Sequence, residues 1–132
     1  MVPGEKQFLK YANQLRPLYD ENDVGVFFGS GDFKFTGAFG IDDEGCMIVI
    51  GEALLKRSWK YALITLIHET GHLLAQIYDI AEHSPYHTKM NEAIAWMMAE
   101  ALFEDLKIPI TREHFVRSRR RALKSYGIKR LK

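Results

Sequence analysis

Apolar residues recur at helical spacing in two long segments of the chain. In residues 5–20, large apolar side chains return every three or four positions, and a proline stands near each end of the segment. We therefore predict an amphipathic first helix that Pro17 disturbs. Residues 59–80 carry a broad apolar stripe, and Ser58 before them is a residue type that caps helix N-termini. This second pattern predicts a long helix.

Two further helices are predicted in the second half of the chain. Residues 81–88 are rich in turn-forming residues and predict a loop. Residues 89–107 are apolar and rich in Met and Ala, and a helix there must end before Pro109. Thr111 is a typical N-cap residue, so a final basic helix should begin there and stop near Gly127.

Between the first two helices the pattern changes to short runs of β-branched and aromatic residues. The runs 24–28, 33–39 and 46–50 are separated by Gly-Ser-Gly-Asp and Asp-Asp-Glu-Gly segments, which are typical of turns. They predict a short, three-stranded, mostly antiparallel sheet. The last run could pair with an extended peptide by strand addition. Together, these elements predict an α+β fold formed by a single domain over residues 1–132.

Composition limits the class of protein and its compartment. Hydrophobic residues make up 47% of the 132 residues and charged residues 27%, which excludes an intrinsically disordered chain. Cys46 is the only cysteine, and the N-terminus lacks the basic-then-apolar layout of a signal peptide. The longest apolar stretches fall well short of the roughly 20 residues that cross a bilayer. We therefore expect a cytoplasmic protein with no membrane partner.

Positive charge is concentrated in the tail of the chain. Residues 111–132 hold nine Lys/Arg and one Glu, whereas the preceding residues hold nine Lys/Arg and sixteen Asp/Glu. Because Phe115, Ala122, Leu123 and Tyr126 form a rough helical stripe, a packed terminal helix with a solvated basic face is favoured. The alternative is a binding module that contacts nucleic acid or another anionic partner. In that alternative, the residues that would contact phosphates are Arg117, Arg119, Arg120, Arg121, Lys124, Lys129, Arg130 and Lys132.

The run His68-Glu69-Thr70-Gly71-His72 has the spacing of a zinc site on a helix. Residues four apart project from one helix face, so the two imidazoles can meet at one tetrahedral Zn²⁺ ion. Glu69 stands next to the first ligand, where a general base can reach a water molecule without replacing a ligand. Gly71 would keep this face uncrowded. The pattern therefore predicts two metal ligands and one catalytic carboxylate.

A catalytic zinc ion needs a third protein ligand and one position for water. Glu92 is the predicted ligand, because it lies one turn into the next helix, where a buried carboxylate needs a partner. His83, His87 and Glu100 are alternatives. His83 and His87, together with Tyr86, are also candidates for contacts with the developing oxyanion or the substrate, because loops beside active sites often carry such groups.

These segments resemble the ImmA/IrrE-type metallopeptidases over roughly residues 20–106. The resemblance rests on His68-Glu69-Thr70-Gly71-His72, on the preceding Cys46-Met-Ile-Val-Ile-Gly-Glu-Ala-Leu-Leu and on the following Asn91-Glu92-Ala93-Ile94-Ala95-Trp96. It implies a minimal zincin-like domain in which a short antiparallel sheet precedes the metal helix and its last strand borders the substrate cleft. It also implies that His68, His72 and Glu92 bind zinc while Glu69 activates water, as in thermolysin-like zincins whose third ligand is a glutamate. Many relatives carry an Asn or Asp where this chain has Ile94, Ala95 and Trp96.

The expected function is zinc-dependent hydrolysis of a peptide bond in a specific protein substrate. Members of the family that this chain resembles are commonly encoded in bacteria, mobile elements and phages, and some cleave repressor proteins. Two other classes stay open at this point. One is the nucleic-acid-associated binding module, which would use the basic tail, and the other is a zinc-stabilised scaffold that has no catalytic turnover.

Overall fold

A computed structural model describes residues 4–30, 36–42, 45–79 and 88–128. The order of elements confirms the α+β class. Two short helices separated by a 3-10 turn at Asn13–Leu15 come first, three strands follow, and the remaining elements are helices. The bounds are α1 Glu5–Ala12, α2 Arg16–Glu21, β1 Val24–Gly29, β2 Gly37–Asp42, β3 Gly45–Gly51, α3 Glu52–Arg57, α4 Trp59–Ile77, α5 Thr88–Asp105 and α6 Arg112–Ser125.

Most predicted helices form close to their expected bounds. The first helix is interrupted just before Pro17, which stands in the first turn of α2. Backbone N–H groups in the first turn have no partner within the helix, so a proline is tolerated there. Ser58 caps α4, and its Oγ accepts a hydrogen bond from the Tyr61 N–H at 3.2 Å. Thr111 caps α6 by accepting from the His114 N–H at 3.1 Å. Gly127, which has a φ of +78°, follows the end of α6 as predicted.

The sheet is mixed, which differs from the mostly antiparallel arrangement that the sequence pattern indicates. Its strand order is β1-β3-β2, with β3 parallel to β1 and antiparallel to β2. Ile48 of β3 pairs with Val26 on one side and with Phe39 on the other, and it is fully buried. Because β3 carries the most buried apolar positions, it takes the central place where both of its edges are covered.

The central position of β3 overturns one expectation. Residues 46–50 cannot add an extended peptide, because their backbone groups already pair with β1 and β2. The second strand also begins later than the run 33–39 suggests: β2 covers Gly37–Asp42, and residues 31–35 lie outside the described part. Within that part, the edges of the sheet belong to β1 and β2.

The chain forms two compact units, residues 1–69 and 70–132, and their boundary lies inside the continuous helix α4. In the first unit, the rings of Phe8 and Phe28 lie 5.5 Å apart, which joins α1 to β1. Tyr11 stacks on Trp59 at a centroid distance of 5.7 Å. The largest fully buried side chains of this unit are Phe8, Leu15, Ile48, Ile50, Leu55, Leu63, Ile64, Leu66 and Ile67.

In the second unit, α6 packs on α5 through aromatic contacts. Phe115 is fully buried, stacks on Phe103 at 4.5 Å and meets the edge of Trp96 at 5.6 Å. This packing confirms that residues 112–125 of the basic tail form a helix with an apolar face. Across the described ranges, every helix is too short or too polar to span a membrane.

Candidate metal centre

Helix α4 presents His68 and His72 one turn apart. Their side chains are 13% and 18% exposed, so both imidazoles are largely shielded but remain reachable from solvent. The helix is continuous from Trp59 to Ile77, and regular helical spacing therefore places the two rings on one face. The structure confirms the geometry that the sequence predicts for this pair.

Glu92 of α5 lies against the second of these histidines. Its Oε1 is 3.1 Å from the Nε2 atom of His72, and the residue is 9% exposed. A largely buried carboxylate is unfavourable unless it has a partner that carries or donates positive charge. The imidazole of His72 is within hydrogen-bond distance of this carboxylate. A bound divalent cation would balance the negative charge of the carboxylate directly.

The predicted ligands form one group. One ligand atom each from His68, His72 and Glu92 lies within 4.8 Å of the other two, and the group could hold a metal ion. The separation between His72 and Glu92 is close to the roughly 3.3 Å expected between two ligands that are each about 2.0–2.1 Å from a tetrahedral ion. Two imidazole nitrogens and a carboxylate oxygen suit a first-row transition-metal ion better than Ca²⁺ or Mg²⁺, which prefer oxygen ligands.

Glu69 lies beside this group without belonging to it. The residue is 6% exposed, and its Oε1 lies 3.5 Å from Nδ1 of His68. The structure therefore keeps a second, non-ligating carboxylate next to the ligands, in the place that the sequence predicts. A shielded carboxylate in that position can accept a proton from a water molecule.

Two glycines allow close backbone approaches near these residues. A Cβ atom on Gly71 would lie 2.1 Å from the carbonyl oxygen of Ala95, so α4 and α5 touch backbone to backbone at this point. A Cβ atom on Gly37 of β2 would lie 2.6 Å from Cγ2 of Thr65 and 3.3 Å from Cγ of Glu69. Gly37 belongs to no sequence motif, although a glycine within a strand often marks such an approach.

Of the other residues predicted to take part in the site, Glu100 lies in the described part of the chain and the loop residues do not. Glu100 accepts a hydrogen bond from Nη2 of Arg112 at 2.8 Å and also pairs with Arg119, so it joins α5 to α6. Hydrogen bonds to Glu104 and Glu100 raise the pKa of the Arg112 guanidinium. The loop residues proposed for substrate or oxyanion contacts lie outside the described residues, and their role stays a prediction. They are His83, Tyr86 and His87.

Comparison with known proteins does not place the chain in a family. No protein-family model matches it, and no curated protein is significantly similar to it. The assignment of the centre therefore depends on the ligand geometry and on the chemistry of the donor atoms.

Proposed function

We propose that this protein is a zinc-dependent peptidase. The observation that carries the proposal is the cluster of His68, His72 and Glu92 ligand atoms, with the carboxylate of Glu69 next to the first of them. Three protein ligands that leave a coordination position for water are typical of catalytic zinc, whereas structural zinc sites use four. Zinc is the favoured ion because borderline-soft Zn²⁺ accepts mixed nitrogen and oxygen ligands.

Glu69 is the general base of the proposed reaction. When bound at this centre, zinc supplies Lewis acidity that polarises a carbonyl group and lowers the pKa of water. Glu69 takes the proton from that water during its attack on the scissile carbonyl carbon. The same carboxyl group then donates the proton to the leaving amine, so the C–N bond breaks and Glu69 returns to its ionised form. General acid–base steps of this kind contribute about 10²–10⁴-fold to the rate.

Strand β2 is an edge strand of the sheet, and its residue Gly37 lies beside Glu69. Gly37 allows its backbone to lie against Thr65 and Glu69 of α4. An extended substrate that added to β2 would gain backbone hydrogen bonds, which bind a peptide with weak side-chain preference. This replaces β3 as the strand that recognises the substrate.

The resemblance to the ImmA/IrrE-type metallopeptidases supports a narrow choice of substrate. It covers roughly residues 20–106, including the run His68–His72, the segment 46–55 and the segment 91–96 around Glu92. We therefore propose a specific regulatory protein, such as a bacterial or phage repressor, as the substrate class. Side chains outside β2 would then have to supply the sequence preference.

The test compares the wild-type protein with Glu69→Gln on a library of peptides derived from a bacterial proteome. Mass spectrometry detects new N-termini, and solvent enriched in ¹⁸O marks carboxylates formed by hydrolysis. We expect zinc-dependent cleavage by the wild type and a loss of at least about 10²-fold in the variant, which keeps its zinc. Undiminished cleavage by the Glu69→Gln variant would exclude Glu69 as the general base. Zinc-dependent stability with no Glu69-dependent cleavage would favour the scaffold.

A further inference from the structure

Four cationic side chains share the solvent-facing side of α6. Positions 117, 120, 121 and 124 follow the i, i+3, i+4, i+7 spacing of one helix face, and all four residues are exposed. The opposite side of the helix carries Phe115, which is fully buried, and Ser118, which is 6% exposed. We call the exposed set the α6 basic face, and it consists of Arg117, Arg120, Arg121 and Lys124.

These four residues differ from the other arginines of the same helix. Arg112 and Arg119 are held by carboxylates of α5, so their charge is already balanced. None of the four residues of the α6 basic face forms an ion pair with a described residue. The acidic residue of α6, Glu113, lies in the first turn of the helix, where it complements the helix dipole. The arginines of α6 therefore form two groups. Arg112 and Arg119 form ion pairs with α5, whereas the arginines of the α6 basic face lie toward solvent.

We propose that the α6 basic face binds the phosphate backbone of duplex nucleic acid. Three of its four residues are arginines, whose planar guanidinium groups bind phosphate oxygens through two hydrogen bonds. Within the bounds of α6 no large apolar side chain is exposed, whereas a protein-binding surface usually has an apolar anchor at its centre. Backbone phosphates require charge and hydrogen-bond donors alone.

The dimensions of α6 match those of a groove in duplex nucleic acid. A helix with its side chains is about 10–12 Å across, and the major groove of B-DNA is about 12 Å wide. From Arg117 to Lys124 the face extends about 10 Å at 1.5 Å per residue, which is enough to contact several phosphates along one side of a groove. The residues before position 111 are net acidic, so nucleic acid would be attracted to this helix and not to the whole chain. This binding goes beyond the proposed peptidase activity and needs no metal ion.

The test measures binding of the full chain to a fluorescein-labelled DNA duplex by fluorescence anisotropy at several salt concentrations. Three to four phosphate contacts predict a slope of about −3 to −4 in log K against log salt, or roughly a hundredfold weakening between 50 and 200 mM. The variant Arg117→Gln/Arg120→Gln/Arg121→Gln/Lys124→Gln should lose at least tenfold in affinity at low salt, with a slope close to zero.

A matched control removes the same number of charges elsewhere. Lys6, Lys10, Lys56 and Lys60 are exposed residues of the first unit, and their combined change to Gln alters the net charge equally. This control should bind within about twofold of the wild type, and circular dichroism should show the same helix content in all three proteins. Equal weakening in both variants, or no binding at low salt, would overturn the proposal. Tighter binding of poly-glutamate than of the duplex would also overturn it, because the surface would then be a site for acidic proteins.

Discussion

A methyl group added to Gly71 would lie 2.1 Å from the carbonyl oxygen of Ala95, which is far inside any contact that real Cβ atoms make. Ala95 and Ala99 are both fully buried, so two small residues of α5 face the glycine. The contact lies one position before the candidate ligand His72 and about one turn after the candidate ligand Glu92. The close crossing of the two helices therefore sets the separation of these two ligands.

Gly71→Ala should weaken metal binding. Alanine favours a helix by about 1 kcal/mol over glycine, but a clash with rigid backbone forces the helices apart at a typical cost of about 1–3 kcal/mol. The separation of His72 and Glu92 would increase, and we expect zinc affinity to fall by about 10–100-fold, as when groups that orient ligands are lost. Competition with a chromophoric zinc chelator measures this change.

Gly40→Ala is the matched control for that substitution. A Cβ atom on Gly40 would meet no described heavy atom within 4 Å, so the added methyl should be tolerated. Its zinc affinity should equal that of the wild type. If Gly71→Ala also bound zinc normally, the helix crossing would not be what positions the ligands.

Removal of any one ligand should release the metal. His68→Ala, His72→Ala and Glu92→Ala each leave two protein ligands. We expect zinc affinity to fall by more than 100-fold, roughly the largest loss seen when a group that only orients a ligand is removed. Elemental analysis after dialysis against a weak chelator gives the zinc content of each protein. Glu104→Ala, an exposed glutamate of the same helix as Glu92, should keep a full equivalent. Normal zinc content in Glu92→Ala would transfer the third-ligand role to the loop histidines His83 or His87.

Glu100→Gln should destabilise the second unit without affecting the metal. The substitution leaves Arg112 and Arg119 without a shared carboxylate, and the side chains of Glu100 and Arg119 are each 26% exposed. Because Glu100 and Arg119 are partly shielded from water, we expect the loss of this one pair to cost about 1–2 kcal/mol, between the values for exposed and buried pairs. The thermal midpoint should fall by several degrees, whereas zinc content should be unchanged. A fall in zinc content would return Glu100 to the list of ligands.

The candidate metal ligands could be predicted because their arrangement is mainly local. The positions of His68 and His72 follow from the period of one helix, and Glu92 stands out as a carboxylate within an apolar helix. The contact between Gly71 and Ala95 was not predictable in detail, since it depends on how α4 and α5 cross. Sequence spacing alone carries no information about that crossing.

The sheet shows where local patterns are insufficient. Runs of β-branched residues indicate strands, but the choice of partner depends on contacts between segments that are distant in sequence. The parallel pairing of β1 with β3 is such a choice, and it makes β3 central. Helix α3 was not predicted, because its six residues are too few for an apolar period to stand out.

The position of Gly37 in β2 brings this strand against the proposed general base, Glu69. An added Cβ would lie 2.6 Å from Cγ2 of Thr65, a buried β-branched residue whose side chain is held in few rotamers within a helix. Gly37→Ala must therefore displace β2 or the side chains of Thr65 and Glu69, and a shift of about 1 Å at a catalytic group can lower the rate about 10²-fold. We expect the turnover of a peptide that the wild type cleaves to fall by about 10²-fold, while the zinc content is retained. The thermal midpoint should also fall, because the added methyl group overpacks the contact between β2 and α4. Gly40→Ala on the same strand should keep full turnover. Equal turnover in the two variants would show that the contact between β2 and α4 does not hold Glu69 in its working position.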